Sequence, residues 1–142
     1  MNSFPESEPA ASGLHAAWYS ANSAAAAVTA QRCGNGHWRH PARYRCAVCQ
    51  SDRWSFVALA GSAVVESWTV TRRPLHVAFA EAVPYAIVVA QSDEGPRLFV
   101  QLRTATPGAV AIGDAISLAV DRFGVPYAVA AEGLSAARSD AT

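Results

Sequence analysis

The sequence predicts a mainly β protein in which a short N-terminal helix and a small metal ribbon precede a barrel of about five strands. Three observations carry the prediction. An Ala-rich stretch with helical spacing precedes residue 26, and all three cysteines fall between residues 33 and 49. From residue 54 onward, short runs rich in Val, Trp, Phe and Thr alternate with turns built on Gly, Pro and Asp.

The helix is expected from about Gly13 to Ala24, with Leu14, Ala17 and Trp18 at i, i+3 and i+4 on one face. A helix this short is marginal alone, so Trp18 and Tyr19 are expected to dock on the protein's own core or on a partner. Residues 1–12, rich in Ser, Pro, Glu and Ala, read as a disordered tail. Ala27–Arg32 reads as a short strand leading into the first cysteine.

The ribbon is argued from Cys46-Ala47-Val48-Cys49, because a two-residue gap lets two thiolates of one tight turn converge on a single tetrahedral ion. Cys33 would begin the other half of the site. His37, four residues on across Gly34-Asn35-Gly36, is the best fourth ligand, and His40 is the reserve. The order Cys33, His37, Cys46, Cys49 has the two-knuckle layout of a rubredoxin-like zinc ribbon with structural Zn2+. Two other readings stand beside it: a ribbon that has lost its metal and survives on packing, and a short Cys46–Cys49 disulfide.

In the barrel region, Trp54–Leu59 and Ala63–Val70 read as strands flanking Gly61, where a bulge or sharp bend would go. Arg72-Arg73-Pro74 closes that run, and Leu75–Val83 is an irregular connection carrying His76 and Phe79. Ala86–Ala90 and Leu98–Leu102 are strands joined by a hairpin turn at Ser92–Pro96. Turns at Thr106–Gly108, Gly113-Asp114 and Phe123–Pro126 frame the last strands, Ala115–Val120 and Tyr127–Ala130. These strands are too closely spaced for parallel crossovers, and an OB-type barrel fits them best, with an SH3-like barrel as the alternative. The chain thus divides into a tail (1–12), a helix plus ribbon (13–53), a barrel (54–133) and a second disordered tail (134–142).

Composition narrows the function classes. At 142 residues, with 51% hydrophobic and 15% charged residues, the chain is globular and long enough for a real core. Its formal net charge is zero, so no global field recruits nucleic acid or an anionic membrane. The charge is unevenly placed, with Arg32, Arg39, Arg43, Arg45 and Arg53 around the knuckle and Asp52 as the one acid among them. No run approaches the roughly 20 apolar residues needed to span a bilayer. Met1–Gly13 carries Glu6 and Glu8 but no basic residue, the wrong start for a signal peptide, so a reducing cytoplasm is expected.

From Trp18 to Tyr127 the order of motifs resembles the bacterial and archaeal zinc-ribbon plus OB-fold family catalogued as domain of unknown function 35. The residues that carry the resemblance are Trp18, Arg32-Cys33, Pro41-Ala42-Arg43 and Cys46-Ala47-Val48-Cys49-Gln50-Ser51, followed by Gly61-Ser62-Ala63, Ser67–Val70, Pro84-Tyr85 and Ile112-Gly113-Asp114. Two positions depart from the family pattern: its second cysteine falls on Gly36, and the Gly after its last cysteine is Gln50. The resemblance implies a non-catalytic accessory subunit of acyl-CoA metabolism, including lipid or steroid metabolism. Its partner would be a thiolase-like enzyme of the condensing, acyl-transferring or side-chain aldolase type, or a hotdog-fold hydratase. In such assemblies the ribbon and helices make the interface, and the barrel helps hold the acyl-CoA.

The residues are compatible with that role. There is no Gly-rich phosphate loop and no paired-carboxylate or nucleophile motif, so no catalytic residue is assigned. Cys33 as a nucleophile beside His37 is conceivable, but metal binding accounts better for three clustered cysteines. Arg72 and Arg73 can pair with CoA phosphates through their planar forks, with His76 beside them, or can be a solvated strand end. Trp18, Tyr19, Trp38, Tyr44 and Trp54 are candidate interface anchors, with ordinary packing as the alternative. The rival from another class is a single-stranded nucleic-acid binder using Trp38, Arg39, Arg43, Tyr44 and Arg45, which neutral net charge and the lack of lysine oppose.

Overall fold

The computed structural model describes residues 4–131, so the expected C-terminal tail and the first three residues lie outside the described part. Among the described residues one α-helix and eight strands occur in the order α1 (Gly13–Ala25), β1 (Thr29–Cys33), β2 (Trp38–Arg39), β3 (Trp54–Ala58), β4 (Ser62–Thr71), β5 (Tyr85–Ser92), β6 (Arg97–Leu102), β7 (Ala115–Val120) and β8 (Pro126–Ala130). They build a three-stranded sheet, β2-β1-β3, and a closed barrel, β4-β5-β6-β8-β7.

The barrel follows from alternation. Along β5, Ala86, Val88, Ala90 and Ser92 point inward while Tyr85, Ile87, Val89 and Gln91 are half-buried on the outside, the period of two that a pleated strand imposes. Leu98, Val100 and Leu102 of β6, Ile116 of β7 and Ala128 of β8 complete the interior, where small alanines leave room for the larger side chains. β4 runs antiparallel to β5 from Ala63 to Thr71 but to β7 only over Ser62–Val64. A bulge between Val65 and Ser67 bends it from one neighbour to the other. Gly61, at φ 97°, makes the sharp bend ahead of that strand, and its carbonyl accepts the Leu118 N–H at 2.7 Å.

Two features differ from the expectation. β3 is not a barrel strand: it pairs antiparallel with β1 from Thr29↔Ala58 to Cys33↔Trp54, so the closed barrel opens at Ser62. A strand's own alternation does not name its partner; the return of the chain from the cysteine knuckle does. There is also one parallel pairing, β6 with β8 at Gln101↔Tyr127 and Leu102↔Ala128. It is reached through β7, which lies beside β8, rather than by a helical crossover. That order is the one a five-stranded Greek-key OB barrel requires.

Helix α1 ties the two sheets together. Its buried residues are Trp18 and Asn22, one turn apart, while Ala17 is exposed. Trp18 is 5% exposed and donates Nε1–H to the Thr29 carbonyl at 2.7 Å, so of its two expected docking surfaces it takes the protein's own core. Asn22 accepts the Thr29 N–H at 2.7 Å and the Thr29 hydroxyl at 2.8 Å on Oδ1, and donates Nδ2–H to the Gly124 carbonyl at 3.0 Å. A single amide thereby joins the helix, β1 and the β7–β8 turn. Asn22→Ala would strand the buried Thr29 N–H and the Gly124 carbonyl and is expected to cost roughly 2–4 kcal/mol. Urea denaturation of the two proteins measures it; a difference near zero would mean that the amide is not a structural tie.

Residues 4–12 carry no helix or strand. Phe4 lies edge-on to the rings of Phe79 and Tyr85, at 5.2 and 5.4 Å between centroids.

Candidate metal centre and its surroundings

Two turns bring the expected ligands together. In the first, Cys33 N–H donates to the His37 carbonyl at 3.0 Å and Gly36 N–H to the Cys33 carbonyl at 2.9 Å, with Gly36 at φ 87°. In the second, Gln50 N–H donates to the Cys46 carbonyl at 2.9 Å and Cys46 N–H to the Ser51 carbonyl at 3.0 Å. Gln50 sits there at φ 61°, in the left-handed region that glycine enters more cheaply. Strand β1 carries Cys33 out to the first turn, and β3 leaves the second.

The Sγ atoms of Cys33, Cys46 and Cys49 and one ring nitrogen of His37 all lie within 4.8 Å of one another, so this cluster could hold a metal ion. Cys33 Sγ is 3.7 Å from Cys49 Sγ and 3.4 Å from His37 Nδ1, and Cys46 Sγ is 3.6 Å from the same nitrogen. A tetrahedron with Zn–S near 2.3 Å and Zn–N near 2.05 Å has S···S edges of ~3.75 Å and S···N edges of ~3.55 Å. The three edges match, and the donor set suits such an ion. Backbone N–H groups of His37 and Val48 also point at Cys33 Sγ and Cys46 Sγ, each at 3.4 Å, which favours thiolates.

Electrostatics push the same way. Hydrogen bonding from the Asn35 side chain, then from the Ser51 backbone, draws the Cys49 thiol down from 9.0 to about 7. The Cys49 backbone N–H is the chief cause that lowers Cys46. A thiol held below its ordinary value in the fold adds stability that is fully present above pH 9 and fades as the pH falls through about 7. In metal-free protein the iodoacetamide reaction of Cys49 is therefore expected to have its midpoint near pH 7, moving upward in Asn35→Ala. Mass-spectrometric rates against pH check this; an unmoved midpoint would remove Asn35 from the account.

His40, the reserve ligand, lies outside the cluster. Its ring sits 4.5 Å from that of Trp18, and burial, with the nearby charge of His15, pushes its pKa down to about 4. It is a neutral packing histidine. Behind the cluster, Gln31 Oε1 accepts both Arg39 Nε–H and Arg43 N–H at 2.7 Å, and Arg39 Nη2–H donates to the Arg43 carbonyl at 2.7 Å. This network, which sequence spacing did not suggest, holds the loop between the two knuckles against β1.

The other candidates are scattered. Tyr44 is 73% exposed, while Tyr19, Trp38 and Trp54 are half-buried. Arg32 stacks its guanidinium on Trp38 at 5.2 Å. Among the described residues, ion pairs join Arg97, Arg103 and Arg122 to Glu66 and Glu6, and none engages a ribbon arginine. Arg72, Arg73 and His76 are exposed on the loop between β4 and β5, where His76 Nδ1 accepts the Ala78 N–H at 3.0 Å and caps a short 3-10 turn.

Comparison with known proteins agrees with this architecture. The family model for the C-terminal OB-fold domain of ChsH2 matches residues 56–121. A chain of the Ltp2-ChsH2(DUF35) aldolase superposes with a TM-score of 0.73 and 30% identity, covering 86% of this chain and 96% of that one. This chain belongs to the DUF35 OB-fold family. A DUF35 domain-containing scaffold protein of Pyrococcus furiosus is 33% identical over 76 residues, 54% of this chain and 55% of the relative. A probable enoyl-CoA hydratase alpha subunit of Thermomonospora curvata is 36% identical over 75 residues, 53% of this chain and 23% of the relative. The matches thus span about half the length of the first curated relative and about a quarter of the second.

Proposed function

We propose that this DUF35 chain is a non-catalytic accessory subunit that binds and stabilises an acyl-CoA enzyme of the thiolase fold, with a hotdog-fold enzyme as the alternative partner. The observation that carries the reading is the superposition on nearly the whole of a chain of the Ltp2-ChsH2(DUF35) aldolase. The scaffold designation of the Pyrococcus furiosus relative supports it.

In this reading the four-residue cluster holds one structural Zn2+. The ion would fix the two knuckles to each other, and its chemistry is that of a closed four-ligand site rather than an open catalytic one. Arg32, Arg43, Arg45 and Arg53, all exposed and with no described acidic partner, give the ribbon a positive face suited to an acidic enzyme surface, with Tyr44 as its most exposed aromatic. Arg72, Arg73 and His76 are the candidates for contacts with acyl-CoA phosphates. Free thiols at Cys33, Cys46 and Cys49 suit a reducing cytoplasm. Among the described residues no helix is long and apolar enough to cross a membrane.

Reconstitution tests this directly. The isolated chain is expected to give no turnover with acyl-CoA substrates, and its co-expression with a thiolase-fold enzyme from the same cells is expected to raise that enzyme's soluble yield and activity. Turnover by the chain alone would overturn the non-catalytic role. Salt-dependent binding of single-stranded oligonucleotide, with no effect on the enzyme, would favour the nucleic-acid reading instead.

A further inference from the structure

We propose that the cleft beside Arg103 at one end of the barrel binds an amphipathic monocarboxylate, with Glu6 of the chain's own N-terminal segment as a built-in competitor. The site needs no partner chain and stands apart from the accessory role.

The cleft has a volume of about 440 Å³, within the range of small-ligand pockets. Phe4, Pro84, Tyr85 and Pro107 supply apolar walls, and Arg103 and Thr104 supply the polar side. Phe4 already meets the rings of Phe79 and Tyr85 edge to face, and those two lie tilted to each other at 6.1 Å between centroids, so Phe4 and Tyr85 of the cleft wall form part of an aromatic bed for an apolar body.

The polar side is half-made. The Arg103 guanidinium lies 3.5 Å over the Tyr127 ring, which fixes its plane. Its Nε–H is buried and has no acceptor among the described residues. Its Nη2 lies 3.8 Å from Glu6 Oε1, too far for a hydrogen bond, and the other Glu6 oxygen is 3.8 Å from Arg122 Nε. Nε–H and Nη2–H form the side-on edge of the guanidinium fork, whose spacing matches the two oxygens of a carboxylate. Glu6 stands near this edge without closing on it. Two arginines and one glutamate leave one positive charge in excess, which calls for a monoanion. A planar carboxylate meets both demands, and the buried, unbonded Nε–H is the donor it would satisfy.

The test titrates the full chain, labelled with 15N, using sodium 4-phenylbutyrate, its neutral analogue 4-phenylbutanol and inorganic phosphate, reading the Arg103 Nε–H resonance and the amides of residues 101–105. Phenylbutyrate is expected to give a saturable shift at least about tenfold tighter than the alcohol, the factor expected of a charge-assisted pair of bonds. Glu6→Gln, an exposed change that spares the fold, is expected to tighten binding several-fold by removing the competitor, and Arg103→Met to abolish it. No saturable shift, an equal response to the alcohol, tighter binding of phosphate, or an affinity unchanged by Glu6→Gln would each overturn the proposal.

Discussion

Gly124→Ala is expected to destabilise the protein by roughly 3–5 kcal/mol, a loss near the top of the range for single substitutions. Gly124 lies in the β7–β8 turn at φ 80°, and a Cβ there would collide with the Tyr19 carbonyl oxygen and stand 3.0 Å from the Ser23 backbone nitrogen. Both obstacles are main chain of helix α1, which cannot rotate away as a side chain can. The helix would have to lift, and with it would go the Asn22 bonds to Thr29 and Gly124 and the burial of Trp18. Gly113 supplies the control: it has φ 90° but nothing within 4 Å of its added Cβ. Gly113→Ala should therefore lose only the conformational share, about 1–2 kcal/mol. Thermal or urea unfolding of both variants separates the effects. Equal losses would show that the helix does not press on the turn.

Removal of the metal is expected to unfold the ribbon and spare the barrel. With zinc in the Cys33, His37, Cys46, Cys49 cluster, the ion contributes binding free energy on the order of 10 kcal/mol to a segment with little core of its own. The β2-β1-β3 sheet has a two-residue edge strand, and apart from the Gln31 network its knuckles are held mainly by turn hydrogen bonds. The barrel has its own interior around Val88, Leu98, Val100 and Ile116. On treatment with a chelator, amide exchange at Gly36, Cys46 and Gln50 should accelerate by orders of magnitude, whereas that at Val88 and Val100 should hardly change. His37→Ala should release the ion, since a three-thiolate site lacks the fourth corner. Stoichiometric zinc retained by that variant would remove His37 from the ligand set.

The cluster itself was legible from the sequence because ligand spacing within a turn is local information. The preference for His37 over His40 was legible in the same way, from its reach across Gly34–Gly36, whereas the packing of His40 against Trp18 was not, since it is a tertiary contact. The barrel strands were legible from alternation, but alternation is silent about partners, so β3 was assigned to the barrel although it pairs with β1. Trp38–Arg39 is too short a strand to show any period. The role of Asn22 carries no local signal, because its partner Gly124 is 102 residues away and only folding brings them together. The Arg103 cleft was hidden for the same reason. Phe4 and Glu6 belong to a stretch whose composition is that of a tail, and what they touch cannot be read from composition.

The central claim, an accessory subunit with a bound ion, is tested most directly by native mass spectrometry of the tagged full chain isolated from its own cells. A complex containing a thiolase-like enzyme chain, with one zinc per copy of this protein, is the expected spectrum. A bare monomer carrying neither ion nor partner would contradict the account.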